Sequence, residues 1–132
     1  MSKKQAHLEM IQGIVNRLSH NSFLLKGWTV ILISALFALG AKDKNPLFVY
    51  LAYFPSIAFW CLDAYFLWQE RLFRRLYDFV RLLPDEEIDY SMDATNANIT
   101  GITWVGAFLS KTLIVFHGVI LVSILIIMFI SF

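Results

Sequence analysis

The sequence predicts an all-α membrane protein: three transmembrane helices, with helices 1 and 2 extended into a cytoplasmic amphipathic stem. Apolar runs at about 23–41, 47–69 and 112–132 are each long enough to cross a bilayer. Hydrophobic residues make up 58% of the chain and charged residues only 16%, where a soluble domain carries about a quarter charged. Apolar residues at helical spacing flank the first two runs on the same side. Nothing in 132 residues leaves room for a separate soluble domain, so 1–132 reads as a single membrane domain, with stem and loop at 1–22 and 70–111.

From His7 to Ser22, Leu8, Ile11, Val15 and Leu18 recur at spacings of three and four, which makes one apolar helical face. Span one follows, with Lys26 near its start and Trp28 at headgroup depth. Leu39-Gly40-Ala41 offers small residues to a signal peptidase, but the leader is long and amphipathic, and cleavage is not expected. Ser34 and Ala38, four apart, are the expected close-contact positions between helices.

The break Lys42-Asp43-Lys44-Asn45-Pro46 allows only a tight hairpin, with Asn45 as N-cap and Pro46 at the first helical position, where a missing N–H is no loss. Span two carries Pro55, which is expected to kink it. It also carries Asp63, whose carboxylate costs a few kcal/mol in hydrocarbon unless it finds a partner, so Asp63 faces protein. Beyond it Leu72, Phe73, Leu76, Tyr77, Val80 and Leu83 form a second stripe, with Glu70 four residues before Arg74. Pro84 is expected to end this helix at Leu83. The two stripes suit a projecting stem, packed together or against neighbouring subunits, because no breaker separates either from its span. The alternative lays each helix on the inner leaflet, arginines on anionic headgroups.

Asp85, Glu86, Glu87, Asp89 and Asp93 form an acidic stretch, read as a solvated loop or, more sharply, as a cation entrance or a clamp on the arginines. A polar turn, 95–98, follows, and Asn98-Ile99-Thr100 matches a glycosylation sequon that its cytoplasmic placement discounts. Residues 99–110 resemble an interfacial or re-entrant helix, and span three ends the chain, with no domain expected beyond it.

Nine basic residues (Lys3, Lys4, Arg17, Lys26, Arg71, Arg74, Arg75, Arg81, Lys111) fall on the stem side against two, Lys42 and Lys44, in the first hairpin. By the positive-inside rule the N-terminus is cytoplasmic and the C-terminus outside. The lone cysteine, Cys61, excludes an intrachain disulfide.

Depth along the spans brings Asp63, His117 and Lys26 to within ~5 to 10 Å of the inner boundary, where His117 or Lys26 is the expected partner of the carboxylate. Such a cluster is either a functional intramembrane site or a structural tie, with Lys26 snorkelling. No nucleophile elbow, HExxH, paired cysteines or glycine-rich phosphate loop is present, and the histidines are not spaced like metal ligands. Neither enzymatic activity nor a cofactor is expected. Arg71, Arg74, Arg75 and Arg81, with Tyr77 and Phe79 interleaved, are explained by topology and headgroup contact, or else form a binding surface for a nucleotide or short single-stranded oligonucleotide.

In HLEMIQGIVNRLSHNSFLLKGW (His7–Trp28), DAYFLWQERLFRRLYDFVR (Asp63–Arg81) and PDEEIDYSMD (Pro84–Asp93), the chain resembles a family of small bacterial membrane effectors encoded beside nucleotidyltransferases in antiviral defence, of the Hailong HalA kind. That resemblance covers most of the chain. It implies a homo-oligomeric channel of the bacterial inner membrane, opened by a signal that the nucleotidyltransferase makes. The competing expectation is an accessory membrane subunit that anchors or regulates a partner and conducts nothing. Span three offers few polar groups, so any pore it lined would be mostly hydrophobic and gated by dewetting.

Overall fold

Ser2 and Asn45, two short polar side chains, start the two longest helices of the computed structural model, which describes residues 2–94 and 100–131. Ser2 Oγ accepts from the Gln5 amide at 3.1 Å and opens α1 (Lys3–Asp43). With 41 residues, α1 is about 60 Å long, roughly twice the ~30 Å of a hydrocarbon core. It ends where Lys44 turns left-handed (φ 49°), so that the Lys44 and Asn45 amides both donate to the Gly40 carbonyl.

The hairpin is tighter than the five-residue break suggests, because Lys42 and Asp43 continue the helix. Asn45 and Pro46 take the expected places: Asn45 Oδ1 accepts from the Leu47 amide at 3.0 Å, and Pro46 is the first residue of α2 (Pro46–Arg81). A Cβ added at Gly40 would lie 3.4 Å from Phe48 Cβ and 3.6 Å from Val49 Cγ2, so the glycine lets the two helices approach closely at this end.

Pro55 does not end α2, which runs for 36 residues in all, or about 54 Å. It stops at Arg81, two residues short of the expected Leu83, because the Leu82 and Leu83 amides both turn back to the Val80 carbonyl and close the helix early. After a 3-10 turn at Asp85–Glu87, the chain returns to Thr103, whose hydroxyl accepts from the Gly106 amide and caps α3 (Trp104–Phe108). The interfacial helix expected over 99–110 is thereby cut to five residues, because Gly101 (φ 86°) interrupts it and Leu109–Ser110 close it by short-range turns. The turn 95–98 and the first two residues of the sequon lie outside the described residues. α4 (Lys111–Ser131) completes the chain's third apolar helix.

α1, α2 and α4 are each long and apolar enough to cross a membrane. α2 is the spine: α1, α3 and α4 all pack on it, while α1 and α4 hardly meet. Two apolar cores result. Toward the hairpin, Ile33, Val49, Ala52 and Ile124 join α1, α2 and α4. In the stem, Ile11, Leu76 and Val80 are buried together with Ile88 from the acidic segment, under Leu8, Phe73 and Met92. The two stripes therefore pack against each other as a stem, and not separately as on a leaflet surface. Lys4 fastens its tip, donating to the Leu83 carbonyl at 2.8 Å, and His7 meets the ring edge of Tyr90 at 5.4 Å. Asp85, Glu86, Glu87 and Asp89 stay exposed around the anchor of Ile88.

Candidate functional site

Between the two apolar cores lies a polar layer centred on Asp63, which is completely shielded from solvent at 0% exposure. Its depth on α2 leaves the carboxylate two sources of donors, the facing turns of α1 and α4. α1 supplies Ser22 and Lys26, four residues apart and so on one face. α4 supplies His117. Lys26 Nζ stands 2.7 Å from Asp63 Oδ2, and His117 Nε2 stands 2.8 Å from the same oxygen. Ser22 Oγ donates to Asp63 Oδ1, and Lys26 Nζ also donates to Ser22 Oγ at 2.8 Å.

The structure thus joins all three residues of the intramembrane site, with both Lys26 and His117 as partners rather than one or the other. It adds Ser22, whose only sequence signal was its helical spacing from Lys26. Three donors on one carboxylate, with one formal positive charge against one negative, offset the desolvation that an isolated ion would suffer in this interior.

Aromatic rings sheathe the layer. Trp60, one turn before Asp63, stacks on the His117 imidazole (centroids 5.6 Å, planes 9° apart) and on Phe108 of α3 (4.4 Å, 5°). Trp60 Nε1 donates to the Phe108 carbonyl at 3.0 Å, and Trp104 Nε1 donates to the Cys61 carbonyl at 3.2 Å. This reciprocal clasp ties α3 to α2 at the level of Asp63, and none of it was evident from spacing along the chain. His117 Nδ1 is buried without a hydrogen-bond partner among the described residues. Since an ionised carboxylate only accepts, Nε2 carries the proton that points at Asp63.

Chemically the arrangement holds a charge and a tautomer in place. Ser22 Oγ is engaged on both sides, by Asp63 Oδ1 and by Lys26 Nζ, while His117 reaches the other carboxylate oxygen.

The second predicted set lies on the stem. Arg74 pairs with Glu70 at 3.0 Å, one turn back, and Glu70 is nearly buried. Arg81 lies 3.9 Å from Asp78, with both side chains more than half exposed. Arg71 and Arg75 are partly exposed on the same helix. Tyr77 packs against the stem core and, with Gln12, Arg74 and Asp78, lines a shallow groove of about 230 Å³, whereas Phe79 is exposed. The expected basic surface therefore exists but contains Asp78 and neutralises one arginine on Glu70. The aromatic open to a ligand there is Phe79, with only the edge of Tyr77.

Comparison of the chain with family models, with curated proteins and with solved structures finds no match.

Proposed function

We propose that this chain is the subunit of a homo-oligomeric channel of a bacterial inner membrane, with the N-terminus cytoplasmic and the C-terminus outside. A nucleotide or short oligonucleotide signal, made by a nucleotidyltransferase during antiviral defence, opens it. One observation carries the reading: the donors of the Asp63 layer sit on α1 and α4, and α1 and α2 run unbroken from that layer into the stem. A signal that shifts α1 against α2 in the stem would strain Ser22 and Lys26 against Asp63 together, because all three ride on rigid helices.

The exposed apolar faces of the spans support assembly. Phe54 and Ile130 are each 80% exposed in the single chain, which leaves apolar surface for neighbouring subunits to cover. The stem arginines, Arg71, Arg75 and Arg81, with Phe79 and the edge of Tyr77, are the proposed signal-binding surface.

Planar-bilayer recording of the purified chain tests this directly. Single-channel currents that appear on adding a synthetic oligonucleotide series are expected. A preparation that stays silent with every oligonucleotide, while remaining folded, moves the accessory-subunit reading ahead. One feature favours that second reading: every oxygen of the Asp63 carboxylate is already satisfied within the chain, as in a structural tie.

A further inference from the structure

Because α1 and α4 both lean on α2 and hardly on each other, a groove of about 690 Å³ opens between them on the membrane-facing side. Val30 forms one wall and Val115, Phe116, Val119 and Ile120 the other. Lys111 and Thr112, at the start of α4, give it a polar end, and Lys26 reaches its middle beside Phe116, where Asp63 already holds the ammonium. Along α4 the groove runs from Lys111 to Ile120, nine residue steps, or about 14 Å, which is close to half of a ~30 Å hydrocarbon core. A hollow along the same helix continues past Gly118, where an added Cβ would meet open space.

We propose that this groove holds one anionic phospholipid, its phosphate at Lys111 and Thr112 and an acyl chain along Val115, Val119 and Ile120. Charge decides the headgroup. Lys26 is matched by Asp63, but among the described residues no carboxylate pairs with Lys111, so the groove carries one positive charge in excess. A single phosphate balances it, and basic pockets between spans are the sites where such headgroups bind. A helix from a second copy is the poorer occupant, since Asp63 is the sole carboxylate within the three apolar runs and is buried. Length decides the rest: one leaflet's worth of apolar wall fits an acyl chain that enters from the headgroup side and stops at the midplane.

The full chain, purified in mild detergent and delipidated, is titrated with phosphatidylglycerol or phosphatidylcholine of identical acyl chains, and bound lipid is counted by native mass spectrometry. Retention of phosphatidylglycerol over phosphatidylcholine is expected. Lys111→Gln should weaken phosphatidylglycerol about fivefold, the effect of one basic residue at a membrane surface, and leave phosphatidylcholine unchanged. Val119→Trp, which fills the groove, should displace both lipids. Equal retention of the two lipids by the unaltered chain, or an unchanged Lys111→Gln titration, overturns the proposal. So does efficient disulfide linkage between copies through Val119→Cys in a Cys61→Ala background, because a second copy would then occupy the groove.

Discussion

Lys26 Nζ and Asp63 Oδ2 stand 2.7 Å apart, with the carboxylate wholly buried and the ammonium side chain 19% exposed. The asymmetry matters, because losing Lys26 strands a buried charge, whereas losing the charge of Asp63 leaves an ammonium that can turn toward the headgroups. Lys26→Met is therefore expected to cost about 3–5 kcal/mol of stability. Asp63→Asn should cost less, since the amide oxygen still accepts from Ser22 and His117 can change tautomer to meet the amide N–H. The double variant should be less destabilised than the sum of the two, by at least about 1 kcal/mol of coupling. Unfolding of the four proteins in mixed micelles gives this cycle directly, and strict additivity would mean that the pair is not energetically linked.

The stem arginines separate by the burial of their partners. Glu70 is nearly buried beneath Arg74, so Arg74→Gln leaves a carboxylate short of its cation and should cost roughly 1–3 kcal/mol. Arg81→Gln breaks a long, exposed contact with Asp78 and should stay within about 0.5 kcal/mol. Thermal unfolding that ranks the two equally would show that Glu70 does not depend on Arg74 for its place in the stem. Arg81 is accordingly the cleaner variant for testing signal binding, where its loss should weaken oligonucleotide affinity and lower the salt dependence of binding.

Much of this layout was legible in the chain, for reasons that also explain what was not. A helix rises by a constant ~1.5 Å per residue, so positions counted from the span ends place Lys26, Asp63 and His117 at one depth without any tertiary knowledge. Ser22 carries no charge whose burial demands a partner, and counting assigned it to the segment before the span. The Trp60, Phe108 and Trp104 clasp joins residues more than 40 positions apart through backbone carbonyls, and no periodicity encodes such bonds. Asn45 and Pro46 announced the start of α2 because cap chemistry is local. The end of α1 was obscured by Lys42 and Asp43, polar residues that remain helical. Whether the two stem stripes faced each other or a leaflet depended on the burial of Ile11, Leu76 and Val80, to which spacing is blind.

The hairpin should respond to volume more than to polarity. At Gly40 a methyl group would make contacts of 3.4 to 3.6 Å, close to ordinary packing, and it would remove the helix penalty of glycine. Gly40→Ala is thus expected to be neutral or to stabilise by up to about 1 kcal/mol. Gly40→Leu should destabilise by about 1–3 kcal/mol, as extra methylenes press on Phe48 and Val49. If the leucine variant melts with the parent chain, α1 and α2 are not held as closely at this end as the distances imply.

Assembly should run through α1. Ser34 and Ala38 lie one turn apart and are both exposed in the single chain, on the flank of the α1 face that carries Ile33, Leu36 and Phe37 into the core. Small side chains let helix backbones approach in lipid, where association depends on close packing rather than on the hydrophobic effect. Native mass spectrometry in mild detergent should therefore show a discrete homo-oligomer. Ala38→Leu should weaken it by about 1–3 kcal/mol per contact while leaving the single chain folded, since the added bulk points away from α2. Ser34→Cys in a Cys61→Ala background should form disulfide-linked pairs in the same preparation. A chain that remains monomeric across concentration, or an oligomer indifferent to leucine at position 38, would remove α1 as the interface and with it the main support for a multi-subunit pore.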